Sequence, residues 1–236
     1  NIHLSDDSSH SLREVSNYIL DLNQMSKLAK IIQKQQKSEL QGFDTFHLGI
    51  VSNSSLTFVG EALIASAIRH GISLYIHEAP YGQVVQSAFE ENIFQSQEKL
   101  NAIFLMIDFR GLPLNNSGNS LGSGTDLVKE SLEYVSLISE KLSERYDTPV
   151  IIANCPNIPE TIFWNLDQSV SGTLRNSINE YNSGLHASIR DEDFILDLDL
   201  LASTIGLEDW NDPVIYNLAK MPISTQWIPH LSENIC

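Results

Sequence analysis

Apolar positions along the chain change period several times, and the changes mark out the elements. From residue 11 to about residue 36 they recur at helical spacing (Leu12, Val15, Tyr18, Ile19, Leu22, Met25, Leu28, Ala29, Ile32). That predicts one long helix, or two with a break near residues 21–23. Short apolar runs then alternate with longer ones of helical spacing. Strands are predicted at 46–51, 73–77, 102–108, 149–154 and 194–198, with an amphipathic helix at 56–70 and further helices at 84–94, 125–146 and 166–190. Thr125 and Asp126 stand as caps for the helix they open. Short apolar strands separated by helices of about 10 or more residues build a parallel sheet covered on both faces. The expectation is an α/β three-layer sandwich: a five-stranded parallel sheet in flavodoxin-like order as domain 43–236, preceded by a helical extension over 1–42.

In such a sheet, ligands bind outside the carboxyl ends of the strands, where helix N-termini offer unpaired N–H groups. The first strand ends in the polar turn Ser52-Asn53-Ser54-Ser55. A hydroxyl at Ser52 is placed for a nucleophile or an anion contact, but Ser and Asn are preferred helix caps, and the segment by itself is read as the cap of the helix that follows. Gly82 follows the second strand, Arg110 the third and Asn154 the fourth. Parallel strands bring all these positions to one edge, so Ser52, Asn53, Gly82, Arg110 and Asn154 are expected to line one crevice.

Composition narrows the function. With 42% hydrophobic residues the chain has material for a packed core, and a formal charge of −16 argues against nucleic-acid binding and against anionic membrane surfaces. No apolar run approaches the ~18 residues of a membrane span, and Cys155 and Cys236 alone form no disulfide framework, which reads as a cytoplasmic protein. The His residues show no metal-ligand spacing, so neither metal nor cofactor is expected. The stretch 114–124, rich in Gly, Ser and Asn, lies between a strand and a helix, but no Lys follows its glycines as a phosphate loop needs. Asp197-Leu198-Asp199 has the spacing of a haloacid-dehalogenase-type acid pair. Too little chain follows it for that fold, and Asp199 is read as the cap of a helix instead.

Several of these strings together resemble the N-terminal domain of FkbH-like proteins. They are Leu48-Gly49, then Glu78-Ala79-Pro80-Tyr81-Gly82-Gln83, Trp164-Asn165-Leu166, Asn182 to Leu185, and Leu196-Asp197-Leu198-Asp199. The most specific part runs from Trp210-Asn211-Asp212-Pro213 to Ala219-Lys220-Met221-Pro222. The resemblance implies a fold similar to SGNH hydrolases, paired with a haloacid-dehalogenase-type domain. In that family the partner domain loads a glyceryl unit from a phosphorylated three-carbon donor onto an acyl-carrier protein for polyketide-type biosynthesis. The chain contains no such second domain and does not open with Met, so an isolated N-terminal half is expected.

Against SGNH hydrolases themselves the catalytic pattern is eroded. Their first block is Gly-Asp-Ser; here the turn is Gly49-Ile50-Val51-Ser52, with no Asp. Gly82 could stand for the oxyanion glycine, and the third-block Asn is replaced near 108–110. The last block, Asp-x-x-His, falls on Asp212-Pro213-Val214-Ile215, which supplies an Asp but no His. A serine needs a base to take its proton, and His230 lies outside any matching motif. Two functions stay open: a module that binds an acyl-carrier protein, a partner domain or a small acyl or glyceryl group, or a serine acyl-transferase or esterase using Ser52 and Asp212.

Overall fold

The computed structural model describes residues 6–36, 40–91, 93–94, 98–114 and 124–236, with side chains from residue 11 onward. Five strands form one sheet: β1 (Asp44–Ser52), β2 (Ile72–Glu78), β3 (Ala102–Met106), β4 (Val150–Ala153) and β5 (Phe194–Leu196). Their order is β2-β1-β3-β4-β5 and every neighbouring pair is parallel, the flavodoxin-like order expected from the alternation of strands and helices. All of β3 is buried. Its side chains alternate between two cores, Ala102, Phe104 and Met106 on one face and Ile103 and Leu105 on the other, as period-2 geometry requires.

The first face carries α2 (Leu22–Gln35), α3 (Thr57–Ala67), α7 (Leu198–Ile205) and α10 (Ile228–Ile235). The second carries α4 (Val84–Phe89), α5 (Gly124–Tyr146) and α6 (Leu174–Ser188). The amphipathic pattern expected of α3 is not what it uses. Val59, Ala62, Leu63, Ile64, Ala65 and Ala67 are all buried, because the sheet lies beneath the helix while α2 and α10 pack on it from outside.

The N-terminal helical pattern does break. A first helix, α1 (Asp6–Ser16), ends before Asp21, whose carboxylate accepts from Gln24 N–H while the Gln24 side chain returns to Asp21 N–H. That reciprocal cap starts α2. Other boundaries differ from expectation. The helix predicted from residue 166 starts at Leu174, because the Asp167 carboxylate accepts the N–H groups of Ile162 and Phe163 and ties 162–167 into a loop. The helix predicted over 84–94 stops at Phe89. Asp197, not Asp199, caps α7, accepting from Leu200 N–H. Thr125 and Asp126 lie inside α5, and the glycine-rich stretch from 115 to 123 falls outside the described residues.

Candidate functional site

The strand order reverses between β1 and β3, where Ser52 stands opposite Met106, and this switch point is where an α/β sheet opens a crevice. Here the crevice is bridged by side chains. Asn53 donates Nδ2–H to Asp108 Oδ1 at 2.7 Å and accepts Asp108 N–H on its own Oδ1 at 2.9 Å. Ser54 Oγ donates to Asp108 Oδ2 at 3.1 Å. Arg110 adds its backbone N–H at 2.9 Å and Nη1 at 3.1 Å to the same carboxylate. Gly111 is needed at the same place, because a Cβ there would come within 2.6 Å of Asn53 Cγ.

These contacts overturn the capping reading of the polar turn. The N-cap of α3 is Leu56, whose apolar side chain cannot accept an N–H, and the Asn53 and Ser54 side chains reach across to Asp108 just beyond β3 instead. Ser52 is buried, 8% exposed, and its Oγ accepts Ser54 N–H at 2.9 Å. Among the described residues no imidazole is hydrogen-bonded to it. His230 packs edge-on to Trp227 on α10, against the outer side of α3, and lines a separate cavity of about 1100 Å³ beside the α1–α2 connection. The cation in that larger cavity, Arg69, is spent on Glu233 and on the carbonyls of Ser16 and Tyr18.

A short segment reaches over the crevice. It comprises α8 (Leu207–Trp210) and α9 (Pro213–Ala219). Trp210 anchors it, 1% exposed, with its carbonyl accepting Ser224 N–H. The Asp212 carboxylate accepts from Val214 and Ile215 N–H at 3.0 Å, and Pro213 opens the helix, where its missing donor is harmless. Lys220 ends α9 in the left-handed region (φ 55°), and its carbonyl accepts Ser55 N–H, tying the segment to the turn after β1. Ile215, where the resemblance to SGNH hydrolases led to the expectation of a last-block His, packs against the first core.

Tyr216 of α9 lies 3.8 Å from the Arg110 guanidinium, measured to the ring centroid, and Phe109 lies at 4.3 Å. Burial, then the Asp108 charge, pushes the Tyr216 hydroxyl above its ordinary range, with Arg110 opposing and Tyr81 adding a smaller push upward. A cavity of about 200 Å³ opens here, lined by Arg110, Glu160, Asn211, Asp212, Tyr216 and Asn217, among others. Arg110 and Asp212 therefore share one cavity. Ser52, Asn53, Gly82 and Asn154 do not line it. Gly82 sits at φ 72° in the turn after β2. Asn154 joins a second network between β4 and β5, donating to Asp197 Oδ1 at 2.7 Å and accepting Asp199 N–H at 3.0 Å. Asp199 in turn accepts Asn157 N–H. The two aspartates are thus occupied by separate local partners. No group of three or more His, Cys, Asp or Glu side chains among the described residues is placed to hold a metal ion.

A profile of the family described as "FkbH, N-terminal domain" matches residues 47–236. The chain belongs to the FkbH N-terminal domain family. A search of curated proteins found no match. Among solved structures, the FkbH-type domain is similar to the N-terminal part of the protein BF1531 from Bacteroides fragilis, described as containing a phosphatase domain complexed with Mg, with a TM-score of 0.73 at 17% identity over 88% of this chain. The match covers 55% of that protein's chain, so this chain spans about half its length. A weaker likeness, TM-score 0.44 at 10% identity over 80% of this chain and 98% of the other, is to the acetyl xylan esterase AlAXEase.

The 210–220 stretch of the FkbH-type domain is held at both ends. Trp210 anchors the segment, Asp212 and Pro213 start α9, and Lys220 ends it. Asn182 grips the backbone of buried Cys155 from both sides, accepting its N–H and donating to its carbonyl. Three features escaped sequence reasoning. Asp108 is the hub of the switch-point network, a role signalled only by an acid placed just after a wholly apolar strand. Tyr216 packs on Arg110 across more than a hundred residues of chain. His47 and His77 lie on adjacent strands with Nδ1 and Nε2 2.9 Å apart, and burial followed by the His47 charge lowers the His77 pKa, with Glu98 opposing.

Proposed function

We propose that this FkbH N-terminal domain is a binding module rather than a hydrolase. It presents the cavity beside Arg110 and the covered switch point to a small acyl or glyceryl group, to the acyl-carrier protein that bears it, and to a haloacid-dehalogenase-type partner domain. In this reading residues 43–236 are the module and 1–42 a helical extension, whose α2 packs against α3. One observation carries it: the only hydrogen bond described for the Ser52 hydroxyl comes from Ser54 N–H, and the last-block base position is an isoleucine. A hydroxyl with nothing to take its proton is a poor nucleophile, even beside helix amides able to hold an oxyanion. The phosphatase domain of the Bacteroides protein supports a partner of the haloacid-dehalogenase type.

The test compares hydrolysis of short-chain aryl esters by the wild-type chain and by Ser52→Ala. Equal rates at the level of buffer are expected. Steady turnover that disappears in Ser52→Ala and rises with pH through the His range would make the chain a serine acyl-transferase or esterase, with His230 the first base to substitute.

A further inference from the structure

An arginine beside a cavity ordinarily points to a carboxylate or phosphate ligand, because its planar fork matches both. The surroundings of Arg110 point the other way. Its charge is already countered by Asp108, with Nη1 at 3.1 Å from Oδ2, and its guanidinium is stacked near the Tyr216 and Phe109 rings. The other formally charged residues in the lining, Glu160 and Asp212, are both acids. Lys220 Nζ also lies 5.0 Å from the Tyr216 ring centroid, so the formal charges around the cavity are +1 each for Arg110 and Lys220 and −1 each for Asp108, Glu160 and Asp212, which leaves −1, within a chain of formal charge −16. An entering anion would meet net repulsion in a space partly shielded from water, where charges interact more strongly.

What the lining offers is uncharged. Asn217 carries an exposed amide, Tyr216 contributes a ring and a hydroxyl, and Pro213 and Met221 supply apolar surface. We propose that the cavity takes an uncharged ligand segment carrying hydroxyl or amide groups beside short apolar stretches, and rejects phosphates and carboxylates. The proposal deepens the binding-module reading and rests on it. A volume of about 200 Å³ limits the segment to a small piece of a larger molecule. Arg110 then acts as a fixed donor and stacking plate, held in place by Asp108, and not as an anion receptor.

The test is a titration of the whole chain followed by isotope-edited NMR and calorimetry. The probes are pantetheine, which carries amides and hydroxyls and no charge, and inorganic phosphate and acetate as the anions. Pantetheine is expected to shift the Arg110, Tyr216 and Asn217 signals saturably, with a dissociation constant on the order of 1 mM. Phosphate and acetate should leave them unmoved at the same concentrations. Asn217→Ala, which removes an exposed side chain, should weaken pantetheine several-fold. Glu160→Gln should bring phosphate binding into range. Phosphate binding the wild type more tightly than pantetheine would overturn the proposal while leaving a binding module. Absence of any pantetheine shift would also overturn it. The binding-module reading itself falls only to Ser52-dependent ester turnover, measured separately, so the two fail independently.

Discussion

Removing the Asp108 carboxylate should unfold the switch point before anything else. Asp108 is 6% exposed, and its two oxygens take four donors, from Asn53 Nδ2, Ser54 Oγ, Arg110 N and Arg110 Nη1. A hydrogen bond to a charged group contributes about 1.5–3 kcal/mol, but bonds sharing one acceptor do not add. The Arg110 ion pair deserves a discount, since its side chain is 29% exposed and solvent screens it. Asp108→Ala also strands the Asn53 and Ser54 donors in a closed site. The balance is a loss of about 3–5 kcal/mol, the range for breaking one side of a buried charged network. At roughly 2–4 °C per kcal/mol for a chain of this size, the melting temperature falls by about 6–20 °C. Urea and thermal denaturation followed by circular dichroism would measure it. Asp108→Asn, keeping one carbonyl acceptor, should lose less. An Asp108→Ala variant within about 1 kcal/mol of wild type would refute the account of the crevice as closed by this network.

Other outcomes follow from the same geometry. Gly111→Ala should destabilise by about 1–3 kcal/mol in the same denaturation assay, because its Cβ has nowhere to go but into Asn53. Trp164 is 78% exposed and left-handed at φ 58°, so Trp164→Gly should stabilise the fold by up to about 1 kcal/mol, read as a higher urea midpoint. The folded chain disfavours protonated His77, so the unfolded chain binds that proton first. Stability should therefore fall as pH drops below the ordinary His value of about 6.5, and His77→Gln should flatten that slope in urea midpoints taken between pH 7 and 5. Burial raises the Cys155 thiol well above its ordinary value. Its alkylation should track unfolding, and fast labelling in native buffer would contradict the described packing.

The sheet was legible because its evidence is local. Five short apolar runs bounded by polar turns sit at helix-spaced intervals, and right-handed parallel crossovers leave few ways to order them. The break between α1 and α2 was visible for the same reason: Asp21 and Gln24 form their cap within four residues. The turn after β1 misled because Ser and Asn have two uses that look identical in sequence. They cap the helix they precede, or they cross to a neighbouring strand. Which use wins depends on what that strand ends in, here Asp108, more than fifty residues away. Sequence spacing placed Asn154 at the correct edge of the sheet, yet its partner is Asp197 rather than anything on β1, because edges are long and hydrogen bonds are short.

The two residues that align with a nucleophile and an acid each have a structural task in this fold. Ser52 Oγ accepts an N–H that would otherwise be buried at the turn, and Asp212 accepts two N–H groups that start α9. An N-cap acid removed to Ala costs about 0.5–2 kcal/mol, enough to hold an Asp at 212 with no chemistry attached. The alternatives thus separate on substitution. If the residues serve only the fold, Asp212→Asn, which keeps the capping oxygen, should match wild type in stability and in pantetheine binding, while Asp212→Ala loosens α9 and with it the cavity beside Arg110. If Asp212 still oriented a base, Asp212→Asn would abolish ester turnover while leaving the melting temperature unchanged. The first outcome is expected, because the position that would carry the base is Ile215, one turn along the same helix, half-buried and packed against the first core.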